Sequence, residues 1–245
     1  MIKKYLEGFD VKEKILAHRG VSLTAPENTM SAFAAAVEQG LAGIELDVQM
    51  SKDGHLIVIH DERVDRTTNG KGLVKDMTLE EIKNLDAGSW FAEKYSGVKI
   101  PVLEEVLELI GQREFIINIE LKSGIIQYPG LEERVLKAVK KCGLLDRTIL
   151  SSFNHYSLLK IKEISEDARI GVLYYAGLVD PWEYGRNLKA YSLHPFFPSV
   201  TEQMVKECLE QGLQVIPFTV KDKETAKKLI DFGVEYVIMD WGRVN

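Results

Sequence analysis

Apolar residues in this chain fall into short runs separated by amphipathic stretches, and that rhythm predicts alternating strands and helices. Strand-like runs occupy residues 14–20, 43–50, 115–122, 148–153, 169–175, 190–194, 214–220 and 235–240. Between them, apolar positions three and four apart predict helices over 29–39, 103–110, 131–142, 156–164, 201–211 and 223–232, with a weaker helical pattern at 180–188. Glu27-Asn28-Thr29 offers N-cap residues, and Gly40, Gly111, Gly143, Gly212 and Gly233 each follow a helical run, where a left-handed C-cap is needed. Strands joined by helices rather than tight turns make parallel βα units. Eight such units predict a single (β/α)8 TIM-barrel domain over 1–245.

One further run breaks the count. Residues 55–61 are separated from the preceding strand only by Ser51-Lys52-Asp53-Gly54, whereas a parallel crossover needs a dozen residues or more. This run must fold back as a hairpin, with Asp53-Gly54 as its turn. A turn centred near residue 53 sets His60 opposite Leu46 and Asp47. Residues 62–100 then hold no barrel element, but Thr67 to Gly72 suits a turn and Thr78 to Ile82 a short capped helix. Residues 51–100 are thus expected to form a projecting hairpin arm and a small insertion over the C-terminal mouth.

Composition narrows the functional classes. The 245 residues are 45% hydrophobic and 28% charged, an ordinary globular balance. Net charge is -6, and no long basic run is present to follow a nucleic-acid backbone, so nucleic acid is not an expected partner. No stretch approaches the ~20 apolar residues of a membrane span, and residues 1–11 lack an apolar signal-peptide core. A cytoplasmic protein without membrane insertion is expected. A homodimer is permitted but not specified. Cys142 and Cys208 lack metal or disulfide spacing and suit small helix residues.

A barrel of this kind carries its site at the C-terminal strand ends. The first strand ends in His18-Arg19-Gly20. On the second, Glu45 and Asp47 share a face, while Ile44, Leu46 and Val48 share the other. On the strand at 115–122, Asn118, Glu120 and Lys122 alternate in the same way with Ile117, Ile119 and Leu121. With the apolar sets facing the helices, Glu45, Asp47 and Glu120 meet inside the mouth. Clustered buried carboxylates need a counter-charge. A divalent cation supplies one, and all-oxygen ligation favours Mg2+ or Ca2+; alternatively, Arg19 and Lys122 neutralise the acids in a salt-bridge network. His18 and His60 suit proton transfer near neutral pH, and Arg19 suits a phosphate. These parts fit a phosphodiester.

His18-Arg19-Gly20, Pro26-Glu27-Asn28-Thr29, Glu45-Leu46-Asp47-Val48, His60-Asp61 and Glu120-Leu121-Lys122 resemble, in order and spacing, the signature motifs of the glycerophosphodiester phosphodiesterase family. The resemblance extends from about Ile15 to Asp240 and includes Ser151-Ser152-Phe153 and Phe218-Thr219-Val220. It implies a cation held by Glu45, Asp47 and Glu120, with His18 and His60 as the acid/base pair and Arg19 and Lys122 on the phosphate. The implied reaction cleaves a small glycerophosphodiester to glycerol 3-phosphate and an alcohol, with a cyclic phosphate as one route. Which histidine is base stays open. Phe218 stands where the family often has Trp, Lys221 where Asn is frequent, and Met239-Asp240-Trp241-Gly242 varies the usual ending. These departures bear on the glycerol or leaving-group end.

Other residues carry weaker signals. Phe153, Tyr174, Phe196, Phe218 and Trp241 lie near strand ends and could wall the pocket, with Phe153 and Phe218 as substrate-binding candidates. His194 is expected to hold a loop through a backbone hydrogen bond, His55 and His155 to serve surface or capping roles, and Asn28 to cap a helix, with Glu27 a second partner of the site. Two competing functions remain: a related lyase that stops at a cyclic phosphate, and a non-catalytic glycerol-phosphate binder.

Overall fold

The computed structural model of the protein describes residues 11–111 and 113–242. Most of the N-terminal stretch read above for a signal peptide, residues 1–10, lies outside the described residues. Strands β1 (Ile15–His18), β2 (Gly43–Met50), β3 (Leu56–Val58), β4 (Ile116–Leu121), β5 (Thr148–Ser152), β6 (Arg169–Tyr174), β7 (Ser192–Pro195), β8 (Gln214–Val215) and β9 (Val237–Met239) form one sheet. Eight of them run parallel in the order β8-β7-β6-β5-β4-β2-β1-β9, and β3 pairs antiparallel with β2.

The sheet curls until its edges meet. Glu235 N–H donates to Val215 O at 3.0 Å, Ile238 N–H to Pro217 O at 2.9 Å, and Val220 N–H to Ile238 O at 3.0 Å. Regular β8 pairing ends after Val215, earlier than the apolar run implied, because Pro217 has no N–H to donate. The chain nevertheless stays extended, with Phe218 N–H donating to Pro195 O at 3.1 Å.

Helices α1 (Met30–Glu38), α3 (Leu103–Ile110), α4 (Leu131–Lys141), α5 (His155–Ile164), α6 (Pro181–Asn187), α7 (Glu202–Glu210) and α8 (Lys223–Asp231) follow seven of the parallel strands, while α2 (Leu79–Asn84) belongs to the insertion. No helix follows β9 among the described residues. The weak pattern at 180–188 becomes α6, with Pro181 in its first turn, where a missing N–H costs nothing. Among the described residues, no helix is long and apolar enough to cross a membrane.

Strand alternation sorts the side chains into two layers. Ile15, Ala17, Ile44, Leu46, Val48, Ile117, Ile119 and Leu121 pack in the cluster between sheet and helices, and all are buried. Leu16, Ile149, Leu173, Ile216, Phe218 and Ile238 form a second apolar cluster inside the ring. Full burial of each large aliphatic is worth about 1.5–3 kcal/mol, so the pattern enforces the strand register strongly.

The hairpin differs from a projecting arm. Its register pairs Val48 with Val58 and Met50 with Leu56, centring the turn on residue 53, where Gly54 has φ 86°. Leu56, Ile57 and Val58 are all buried, because Val58 N–H donates to Pro101 O and the insertion packs on the hairpin. Ile57 and Ile59 join Val64, Val74, Ile82, Ala87 and Ile100 in a small core of the insertion's own. Its helix α2 starts with Thr78 and Glu81 capping each other reciprocally, Glu81 N–H to Thr78 Oγ1 at 3.3 Å and Thr78 N–H to Glu81 Oε2 at 2.8 Å. The insertion reaches the β1–α1 loop through Tyr95, whose hydroxyl donates to Thr24 O at 2.6 Å.

Candidate active site

After His18 the chain turns sharply. Arg19 and Gly20 both take left-handed backbone angles, φ 56° and 78°, a conformation that costs a non-glycine residue about 1–2 kcal/mol. A Cβ at Gly20 would lie 2.7 Å from the backbone carbon of Ala32 in α1, so only glycine fits. This turn directs Arg19 back across the mouth. Its N–H donates to Glu45 Oε2 at 3.0 Å and its guanidinium to Glu27 Oε1 at 2.7 Å, while Nε stands 3.5 Å from Asp47 Oδ2.

Register brings the acids together. His18 lies beside Glu45, Glu45 beside Asn118, and Asp47 beside Glu120. One carboxylate oxygen from each of Glu45, Asp47 and Glu120 lies within 4.8 Å of the others. Lys122 donates to Glu120 Oε1 at 2.7 Å and stands 3.6 Å from Asp47 Oδ1. Asp47 Oδ2 accepts from Asn28 Nδ2 at 2.8 Å, but its Oδ1 is buried without a hydrogen bond.

The electrostatics show a cluster short of positive charge. Burial, then repulsion from Asp47 and Glu120, pushes Glu45 well above the ordinary carboxylate range. Burial likewise lifts Glu120 to about 7, with Asp47 adding repulsion and Lys122 opposing it. Burial also acts to raise Asp47, but Lys122, Arg19, His60 and the Asn28 hydrogen bond outweigh it and hold that carboxyl below its usual value. The salt-bridge network therefore exists but is incomplete: Lys122 serves two acids, and Arg19 is shared with Glu27. A buried carboxylate oxygen without a hydrogen bond, and neighbouring acids that push the Glu45 and Glu120 pKa values up, are what a hard cation would relieve, so the residues fit such an ion.

Both histidines flank this cluster with Nδ1 held by a carboxylate. His18 Nδ1 lies 2.7 Å from Asp240 Oδ1, and His60 Nδ1 lies 2.6 Å from Asp61 Oδ1. Ile59 N–H donates to Asp47 O at 3.1 Å, continuing the hairpin register to the position that sets His60 at the acids. Burial lowers the His60 imidazole pKa, helped by Lys122 and Arg19 and opposed by Asp47 and Asp61.

The opposite half of the mouth is aromatic. Phe153 stacks on Tyr175 with ring centroids 5.0 Å apart, and Phe218 packs edge-on against both, at 5.6 and 5.5 Å. Phe196 closes the group 5.6 Å from Tyr175. Tyr175 is 63% exposed and Phe218 only 8%, so Tyr175 is the outer face of the wall.

Several sequence expectations need correction. Tyr174 and Trp241 are not in this wall: both pack in the outer core, and Trp241 Nε1 donates to Gln39 Oε1 at 2.9 Å. Leu173 faces inward, so alternation turns Tyr174 outward and delivers Tyr175 instead. His194 holds no loop. It is fully buried in the ring, its Nε2 2.8 Å from Ser192 Oγ and its Nδ1 without a partner. Asn28 is not the α1 cap; Thr29 accepts from Ala32 N–H there, which leaves Asn28 to hold Asp47. Asp240, Arg66 and Tyr175 escaped the sequence reading. Only Asp240 carried a usable signal, as an acid ending a strand that must neighbour β1 in a ring.

Residues 18–241 match the model of the glycerophosphoryl diester phosphodiesterase family. A glycerophosphodiester phosphodiesterase of Caldanaerobacter subterraneus is 53% identical over 230 residues, covering 94% of this chain and 95% of the relative. One from Bacillus subtilis is 37% identical over 92% of this chain and 83% of its own length. Among solved structures, a phosphodiesterase of Oleispira antarctica in complex with the product sn-glycerol-3-phosphate superposes with a TM-score of 0.82 at 34% identity, covering 93% of each chain. The chain belongs to the glycerophosphoryl diester phosphodiesterase family and is a phosphodiester-cleaving enzyme.

Proposed function

We propose that this protein hydrolyses small glycerophosphodiesters to sn-glycerol 3-phosphate and an alcohol, in a cation-dependent reaction at the mouth of a closed (β/α)8 barrel. The observation that carries the reading is the convergence of Glu45, Asp47 and Glu120 within 4.8 Å, with Asp47 Oδ1 buried without a hydrogen bond and two imidazoles, each held at Nδ1 by a carboxylate, beside the acids. The named activities of the relatives and the product held by the Oleispira enzyme support the substrate class.

In this mechanism Glu45, Asp47 and Glu120 hold one divalent ion, Mg2+ or Ca2+. Bound there, the ion supplies charge neutralisation for the phosphodiester oxygens. Arg19 and Lys122 add two further cations for the non-bridging oxygens, and Arg19 offers a planar fork. His18 and His60 each give Nδ1 to a carboxylate, which leaves Nε2 to exchange a proton with substrate. One imidazole accepts the proton of the attacking oxygen as the new P–O bond forms, that oxygen belonging to water or, by the cyclic route, to the substrate's own glycerol hydroxyl, in which case water opens the cyclic phosphate in a second step. The other protonates the alcohol oxygen as its bond to phosphorus breaks. Phe153 and Phe218 present apolar surface to the carbon skeleton of the substrate.

Enzyme-coupled detection of glycerol 3-phosphate from glycerophosphocholine tests the proposal. Release with added Mg2+ or Ca2+, abolished by EDTA and restored by excess metal, is expected. Undiminished release in EDTA would remove the cation from the mechanism. Cyclic phosphate accumulating without glycerol 3-phosphate would replace hydrolysis with a lyase reaction, and no release with any metal would favour a binder.

A further inference from the structure

Two loops meet on one side of the mouth, and the Arg66 side chain ties their acidic groups together. Arg66 donates from Nε to Asp61 Oδ2 at 2.8 Å and from NH2 to Asp61 Oδ1 at 3.0 Å. The same guanidinium donates from NH1 to Glu27 Oε2 and from NH2 to Glu27 Oε1, both at 2.8 Å. Each carboxylate uses one more bond to hold a side chain of the site. Asp61 Oδ1 meets His60 Nδ1 at 2.6 Å, and Glu27 Oε1 accepts from Arg19 NH1 at 2.7 Å.

Arg66 is presented from a built turn. Thr68 Oγ1 donates to Val64 O at 2.7 Å and accepts from Gly70 N–H at 3.0 Å, while Asn69 N–H donates to Asp86 O at 3.1 Å. The Arg66 side chain is 44% exposed, so its ion pairs add little to stability. What four bonds to two carboxylates do give is direction, because the guanidinium plane fixes both carboxylate planes at once.

We propose that Arg66 is a positioning residue that aligns His60 and Arg19 together, across the gap between the insertion and the β1–α1 loop. The proposal rests on the reading of His60 as a proton-transfer group and Arg19 as a phosphate ligand. Without Arg66, Asp61 can rotate and His60 loses its fixed tautomer and direction. Glu27, left with Arg19 alone, draws that guanidinium towards itself. The mouth also gains one net negative charge beside the place of an anionic substrate. Proton transfer and substrate binding therefore weaken together.

Kinetics on glycerophosphocholine at saturating Mg2+ separate this role from loop stability. Arg66→Met is expected to lower kcat by about tenfold or more, the scale of a catalytic group displaced by a fraction of an ångström, and to raise KM several-fold. Arg66→Lys restores the charge but not the fork, so KM should return towards wild type while kcat stays low. Added to Asp61→Asn, Arg66→Met should cost kcat less than it does in the wild-type background, since the part of its effect that reaches His60 passes through Asp61. Arg63→Met, which removes a pair to Asp65 in the same loop, is expected to stay near wild type.

Calorimetric titration with sn-glycerol 3-phosphate needs no turnover and gives a second readout, with Arg66→Met binding several-fold more weakly. Wild-type kcat, KM and product affinity in Arg66→Met would overturn the proposal, as would losses additive with Asp61→Asn or equal losses in Arg63→Met. Weakened product affinity in Arg66→Met, in a protein that releases no glycerol 3-phosphate from glycerophosphocholine, would sustain the positioning of Arg19 while refuting the proposed substrate.

Discussion

His18 and Asp240 join the first and last strands of the ring at its mouth: His18 Nδ1 lies 2.7 Å from Asp240 Oδ1, across 222 residues of sequence. Burial would raise the Asp240 carboxyl pKa, but the His18 hydrogen bond and charge, with Arg19 and Lys221, hold it below the usual range. It therefore stays ionised and accepts from Nδ1–H, which leaves Nε2 to exchange a proton with substrate. Asp240→Asn keeps the shape but can present an N–H to Nδ1 and select the wrong tautomer. A fall in kcat between about 10²- and 10⁴-fold is expected, with thermal unfolding little changed. Wild-type kcat in this variant would show that Asp240 does not orient His18.

Removing either imidazole should cost turnover on the same scale as disabling the carboxylate that orients it. His18→Ala and His60→Ala are each expected to lower kcat by about 10²- to 10⁴-fold, the usual worth of positioned proton transfer. Both side chains are partly exposed, 18% and 33%, so truncation opens no sealed core cavity. Circular dichroism should match wild type. A variant that turns over at the normal rate takes its histidine out of the mechanism.

The carboxylates make a different prediction. Glu120→Gln keeps the volume and one acceptor oxygen but removes a charge from the cluster, so the Mg2+ or Ca2+ needed for half-maximal activity should rise. Saturating metal should recover much of kcat. Titration curves that overlay those of wild type would mean that Glu120 is not a ligand.

The parts of this site that could be read from sequence are those fixed by alternation. Glu45 and Asp47 had to share a face because Ile44, Leu46 and Val48 claimed the other, and Glu120 followed by the same logic on β4. The hairpin register was equally legible, since four intervening residues leave few ways to turn. Positions decided by tertiary choice were not. Asn28 and Thr29 are both competent helix caps, and only the proximity of Asp47 assigns Asn28 to the acid. Tyr174 and Tyr175 differ by one place, and the end of β6 decides which meets Phe153. Arg66 pairs with Glu27 39 residues earlier, through a loop with no periodicity to extrapolate.

His194 makes acid stability a test of the ring interior. Burial holds its pKa down to about 3, against about 6.5 in an unfolded chain. Below pH 6.5 the unfolded chain takes up a proton that the folded chain refuses, so this contribution is present at neutral pH and lost as pH falls towards 3. The limiting slope is about 1.4 kcal/mol per pH unit. Gly171 lies directly under the ring, where a Cβ would come 2.5 Å from Nε2, so the imidazole has little room to move away when protonated. His194→Leu loses the Ser192 hydrogen bond and is expected to be less stable than wild type at pH 7. Its stability should nevertheless fall less steeply between pH 6 and 4.5, by close to one proton in urea unfolding measured across that range. Parallel curves for the two proteins would show that His194 does not titrate differently on folding.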